Sequence, residues 1–311
     1  DLSVRSFNCL SGRMDYFSRK IEDAIYSGIP VASPPAVYAT STVNIGDITN
    51  KGFEFELNGR VVDTKDWTFD TSLVGSFVGK SRLEGMAKDT HMEFQAMPHG
   101  GGSAVRIFGG QEIGRYFLYR FAGVREEDGT PMIYSKDNKV IPYASGTDED
   151  RVQTGNGLPK AVLSWNNTVR YRNWDLNLFF RSWLGQDVYN VTDMIQGVNC
   201  KITEGQNLLR TAYRRNKAIT NTDRLMLLDY WLEKGDFLKL DAVTLGYTLP
   251  RNKIKYVEKL RCYFTVRNVC TLTGYSGLDP EVNVNGLAPG FEGMSQYPRT
   301  RSFILGIEIG F

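Results

Sequence analysis

Hydrophobic and polar residues alternate with a period of two through most of the chain. This is the signature of strands with one apolar and one polar face. At one end Phe303, Leu305, Ile307, Ile309 and Phe311 share a face opposite Ser302, Gly306, Glu308 and Gly310, with Ile304 out of step. Phe53, Phe55, Leu57, Gly59 and Val61 alternate with Glu54, Glu56, Asn58 and Arg60. The same pattern runs through Trp67–Phe77, Ala161–Tyr171, Leu176–Phe180 and Cys262–Val266. A soluble antiparallel sandwich would give such alternation, but three features oppose it. Stretches such as 9–26 and 67–86 exceed the usual strand of about 5–6 residues. Connections are either tight, as at 63–66 and 172–174, or long, as at 27–50, 87–159 and 192–234. Aromatic residues cluster near predicted strand ends at Trp67, Tyr171, Trp174, Tyr189, Tyr247 and Tyr275. Long strands, uneven connections and aromatic ends together describe a transmembrane β-barrel, apolar outside and polar within.

Composition narrows the function classes. The 311 residues carry 37 Lys+Arg against 35 Asp+Glu, a net charge of +2, so no global field favours nucleic acid. Mean hydropathy is −0.31, and no apolar run is long enough for a membrane helix. Only His91 and His99 are present, which thins His-dependent catalysis. Cys9, Cys200, Cys262 and Cys270 make no CxxC or zinc spacing and read as packing residues. Cys262 and Cys270 fall on one predicted strand, where eight residues span roughly 26 Å, too far to bridge.

Apparent catalytic motifs fail on their context. His99-Gly100-Gly101-Gly102 imitates an esterase oxyanion element, but no G-x-S-x-G elbow accompanies it. Gly79-Lys80-Ser81 imitates the end of a phosphate-binding loop, yet Val74 stands where its first glycine belongs. Glu126-Glu127-Asp128-Gly129 lacks the alternating carboxylates of a calcium loop and reads as a hairpin turn. Arg210, Arg214, Arg215 and Lys217 form a basic run that reads as a solvated loop face.

Further motifs are NIGDITNKGFEFEL at 44–57, LPKAVLSWNNT at 158–168, DLNLFF at 175–180, GDFLKL at 235–240, LGYTLP at 245–250, TLTGYSGLDPE at 271–281 and LGIEIGF at 305–311. Together these segments resemble one family, the SusC/RagA-type TonB-dependent outer-membrane transporters. The motifs keep the family's order, with Lys239 where Arg is usual and Trp174 where Phe or Tyr is usual. The resemblance implies an all-β fold. Residues 1–311 would be the C-terminal part of a large antiparallel barrel of about 22 strands. Nine spans are expected, at roughly 1–7, 9–26, 51–63, 67–86, 159–172, 175–192, 235–249, 260–275 and 300–311. Segments 113–124 and 131–143 would then be local structure in a long outer loop, because an even number of spans must lie between 87 and 158. The chain starts without Met and in mid-pattern, so the plug and the rest of the barrel are expected upstream.

The implied function is TonB-driven uptake of oligosaccharides or peptides across the outer membrane of a Gram-negative bacterium. Aromatic loop residues tilt that reading toward glycans. Expected partners are a SusD-like surface lipoprotein, the TonB complex through upstream sequence, and outer-membrane lipid. No cofactor, metal or catalytic residue is expected. The competing reading is a surface-exposed β-rich carbohydrate-binding or adhesin module, which would be soluble without detergent. An outer-membrane hydrolase would need a Ser/His or Asp/His constellation on adjacent strands, and neither histidine lies in a clear strand. Substrate contacts are expected from lumen positions near the outer rim, Asp70, Asn177, Arg181 and Arg267. Further contacts are expected from Tyr116, Tyr119, Tyr134, Phe291 and Tyr297 in the loops 87–158 and 276–299. By resemblance, the terminal Phe311 is the assembly signal.

Overall fold

A computed structural model describes residues 9–30, 40–86, 91–97, 102–199, 205, 207–220, 226–250, 256–282, 286–293 and 297–310. Eight long strands form one antiparallel wall, each paired to the next in chain order. They are β1 (Leu10–Ile21), β2 (Asp47–Asp63), β3 (Trp67–Val78), β4 (Ala161–Tyr171), β5 (Trp174–Leu184), β6 (Phe237–Thr248), β7 (Lys259–Thr273) and β8 (Ser302–Gly310). A short strand, Arg82–Glu84, also pairs with β2. Eight of the nine expected spans are present; 1–7 lies outside the described residues, as does Phe311.

The pairing register turns alternation along the chain into two continuous faces. Leu305 lies beside Phe264, Phe264 beside Leu245, Leu245 beside Leu176 and Leu176 beside Val169. Val169 lies beside Phe69, which meets Val62. This apolar face is open: Leu305 is 79% exposed, Phe303 66% and Leu272 64%. An exposed apolar surface of this extent is a lipid or partner surface, not a water surface. A polar row within it is internally satisfied. The Trp165 indole N–H donates to Thr71 Oγ1, and Thr71 donates to Asn167, each at 2.8 Å.

Register shifts interrupt three of the wall's pairings: Val61 is extra in β2 against β3, Asp241 is extra in β6 against β5, and β7 has one extra residue between Arg267 and Cys270 against β6. Each adds a residue and keeps the apolar side chains on one face beyond the break. At the short-turn end, register aligns Trp67, Tyr171, Trp174 and Tyr247 in a single row. Trp67 packs on Tyr171 at 4.4 Å between ring centroids, and Trp174 on Tyr247 at 4.7 Å. Such a row suits a membrane interface. Tyr189 and Tyr275, expected in the same belt, are instead buried in the loops at 0% and 6% exposure. Proximity to a strand end does not distinguish a girdle from a loop core.

The four long connections, 22–46, 79–160, 185–236 and 274–301, all leave the opposite end of the wall. They fold together rather than standing as separate loops. Besides the two-stranded Ile25–Pro30 with Thr40–Asn44, their sheets are Tyr116–Tyr119 between Arg151–Thr154 and Ser103–Phe108, extended by His91–Ala96, and the three-stranded Phe121–Val124, Pro131–Tyr134 and Val140–Pro142. A further sheet pairs Asp187–Asn190 with Leu232–Lys234 and, in parallel, with Phe291–Glu292. A short helix, α1 (Val191–Gln196), follows. The main hydrophobic cluster of the described residues lies wholly in these connections. Ile45, Leu83, Ile107, Tyr116, Leu118, Tyr189, Leu228, Trp231 and Phe291 all belong to it. The described residues between 87 and 158 therefore contribute no spanning strand, as expected, but form much of a packed loop body. Strands expected to continue to 26, 86 and 192 end at Ile21, Val78 and Leu184. Beyond those points the chain enters the loop body, apart from Arg82–Glu84, which returns to pair with the start of β2.

Candidate functional site

The polar face of the wall carries ladders of opposed charges. Asp70 accepts from Arg60 Nε and Arg170 NH1, each at 2.8 Å. Asp175 accepts from Arg261 at 3.0 and 2.6 Å. Asn177 donates to Asn166 at 2.8 Å and to Thr168 at 2.9 Å.

The densest network lies where the wall meets the loop body. Arg181 of β5 reaches Asp241 at 3.2 Å and Glu281 at 2.9 Å. The extra residue of β6 opposite Phe179 and Phe180 of β5 is Asp241, which lies beside that arginine; re-aiming a side chain is a common effect of a bulge. Lys239 is 0% exposed; its ammonium lies 2.9 Å from Glu281 and 3.4 Å from Asp279, above the Phe237 ring. Arg299 closes the network at 3.3 Å to Asp279 and 3.1 Å to Glu281. Three cations meet three carboxylates, so the buried charges are compensated. Burial pushes the Glu281 carboxyl upward, but hydrogen bonds from Arg181 and Lys239 prevail and hold it below its ordinary range. Asp279, Pro280 and Glu281 are thus fixed to the barrel wall, with Gln186 Nε2 donating to the Pro280 carbonyl at 3.0 Å.

The loop body has a second polar hub. Asp193, 2% exposed, accepts from Arg215 at 2.7 Å and Asn216 at 3.2 Å, and also from Thr211. Glu233 accepts from Arg215, Asn190 and Ser276. Gly290, at φ +84°, lets the last loop, 274–301, cross close to the second, 79–160. A Cβ there would lie 2.1 Å from Tyr116 Oη. That hydroxyl sits 2.9 Å from the carbonyl oxygens of both Asp187 and Gly290.

The expected contact residues separate into distinct environments. Arg181 belongs to the mouth network. Arg267 is exposed on the polar face of β7 and forms no ion pair among the described residues. Asp70 and Asn177 face the same side but lie three residues from Trp67 and Trp174, at the short-turn end. Their expected position near the outer rim is therefore corrected: periodicity gives a side chain's face, not its height. Tyr116 and Phe291 are core residues at 0% and 8% exposure, not open rim contacts, because loop packing encloses both rings. Tyr119 is half-buried against Tyr143. Tyr134 and Tyr297 remain open, at 36% and 84% exposure. Lys239, Asp279, Glu281 and Arg299 were not singled out from sequence as site residues. The available signal was a lysine at a lumen-parity position in β6 followed later by the acidic pair of the DPE segment.

No family model matches the chain. Among curated proteins it is 25% identical to TonB-dependent receptor P3 of Formosa agariphila, covering 98% of this chain and 32% of that receptor. It is likewise 25% identical to TonB-dependent receptor SusC of Bacteroides thetaiotaomicron, covering 97% of this chain and 30% of SusC. The chain thus spans about a third of the length of the curated relatives it matches. Among solved structures, the RagAB peptide transporter superposes with a TM-score of 0.79 at 20% identity, over 98% of this chain and 33% of that one. The RagAB peptide importer in its closed-closed state gives 0.75 at 18% identity, over 98% and 34%. The fold is therefore that of part of a TonB-dependent receptor barrel, an outer-membrane β-barrel of Gram-negative bacteria. Within that class the resemblance is to the SusC/RagA type, and it runs along nearly the whole chain.

Proposed function

We propose that this chain is the C-terminal wall and outer loop body of a TonB-dependent transporter that imports oligomeric nutrients, oligosaccharides or peptides, across the outer membrane. The observation that carries the reading is the pairing of two surfaces. A sheet with an open apolar outer face and an ion-paired inner face is joined to a compact body made from all four long connections. The first surface suits lipid; the second suits a structured extracellular mouth. A surface adhesin module would need no continuous apolar face or aromatic row at the short-turn end.

In this reading the mouth network fixes the last long loop at the top of the lumen. Arg267, Tyr134 and Tyr297 are the accessible members of the candidate contact set. Tyr116, Tyr119 and Phe291 support the rim from within. Energy would come from TonB acting on upstream sequence, and a SusD-like lipoprotein would close over the loop body. The test is growth and labelled-oligomer uptake by cells expressing the full-length receptor, with and without TonB. Uptake that needs both the receptor and TonB supports the reading. Uptake unaffected by deletion of either contradicts it.

A further inference from the structure

Glu292 is fully buried in the last long loop, on the strand Phe291–Glu292 that pairs in parallel with Asp187–Asn190. Its hydrogen bonds come from Thr192, side chain and backbone, with the backbone N–H 3.3 Å from Oε2, while Oε1 has no partner. The Tyr275 hydroxyl is also buried without a partner. Charged groups on the packed elements are predominantly acidic. Asp193 comes from α1, and Glu233 from the segment Leu232–Lys234. Arg215 is the cation among them, and it already binds both Asp193 and Glu233. Lys234 is held by Asp187 at 2.6 Å. An ionised carboxylate here would have hydrogen bonds from Thr192 alone, no direct cation among the described residues, and two acidic neighbours. A neutral carboxylic acid suits the same place far better.

From this geometry we propose that Glu292 is a proton-dependent latch: neutral, it keeps the last long loop seated on the strand Asp187–Asn190, and its ionisation releases that loop. Burial pushes its carboxyl above the ordinary range, and the charges of Asp193 and Glu233 push the same way. The sign follows from linkage. Below the ordinary glutamate range both closed and open forms hold the proton, and the seat is fully stable. As pH rises, the open form ionises first, so the closed form loses stability until its own raised pKa is passed. One proton is involved, so the opening equilibrium rises by up to about tenfold per pH unit inside that window. This latch works in the opposite sense to the acid-sensitive Glu281 network, and it does not depend on the transport reading.

The test is hydrogen exchange of the full-length receptor in detergent between pH 4.5 and 9, corrected for intrinsic exchange rates. Peptides covering 187–197 and 286–293 are compared in wild type, Glu292→Gln and Tyr275→Phe. In wild type, protection of both peptides should fall as pH rises; Glu292→Gln should flatten the profile and keep high-pH protection. Tyr275→Phe should retain the wild-type slope, separating ionisation of Glu292 from repacking of the aromatic neighbour. A flat wild-type profile overturns the proposal even if the glutamine variant fails to fold. An unchanged slope in Glu292→Gln overturns it as well.

Discussion

Lys239→Met is the sharpest perturbation of the charge network at the mouth. The ammonium is fully buried and lies 2.9 Å from Glu281. At an effective dielectric of about 20, that separation corresponds to a gross attraction of about 6 kcal/mol, much of it offset by desolvation. Breaking a buried pair from one side costs about 3–5 kcal/mol in general. Here Glu281 keeps Arg181 and Arg299, and Asp279 keeps Arg299, so about 2–3 kcal/mol is expected. The loss should be local. Segment 274–282 is held to the wall by this network, whereas the pairing of β5, β6 and β7 is held by backbone hydrogen bonds. Amide exchange across 274–282 should quicken roughly 30- to 150-fold, with β6 and β7 little changed. Glu281→Gln should do the same, because it leaves Lys239 facing only Asp279 at 3.4 Å. The double variant should cost clearly less than the sum of the singles, since each single strands the other's charge. Additive effects, or singles below about 0.5 kcal/mol, would refute the argument that this network seats the loop.

Leu305→Arg, on the open apolar face, should cost roughly 2–4 kcal/mol if it lies near the bilayer midplane, and Asn58→Arg on the polar face should cost less; reversible unfolding in lipid compares them. Trp231→Ala should destabilise the loop body by about 3–5 kcal/mol, because the ring is fully buried in its core; protease should then cut the loops while the wall stays intact. Lowering pH through and below the ordinary glutamate range should weaken the 274–282 seat, because the folded-state pKa of Glu281 is depressed; acid exchange profiles of wild type and Glu281→Gln check this. Deleting 193–234 should leave the wall strands paired but unfold the loop body, since Met194, Ile195, Ile219, Leu228 and Trp231 leave its core together; far-UV circular dichroism with limited proteolysis distinguishes the two parts.

The wall was legible in sequence because a two-residue period encodes it directly. Phe303 through Ile309 and Phe53 through Leu57 show their faces without any structure, and the turns at 64–66 and 172–173 reveal which strands are neighbours. Height was less legible. Asp70 and Asn177 share the face of Arg181 but sit near the other end, a distinction set by strand starts. The loop body was the least legible. Its core draws Ile45, Leu83, Trp231 and Phe291 from four separate connections, none with enough periodicity to announce burial. For the same reason Tyr116 and Phe291 looked like open aromatics. Glu292 gave no local signal at all, because its isolation arises only when the parallel pairing with Asp187–Asn190 forms.

The central claim is that the open apolar face of the eight-stranded wall meets lipid while the opposite face lines a lumen. Spin labels placed singly at Leu245, Phe264 and Leu305, and at Ser164, Thr244 and Glu308 for comparison, test it in the full-length receptor reconstituted into bilayers. Power-saturation electron paramagnetic resonance with oxygen and a water-soluble nickel chelate then reports each label's surroundings. The account predicts high oxygen and low nickel accessibility at the first three positions, and the absence of that lipid signature at the other three. Equal accessibility on the two faces, or nickel access at Leu245, Phe264 and Leu305, would contradict a membrane-spanning wall.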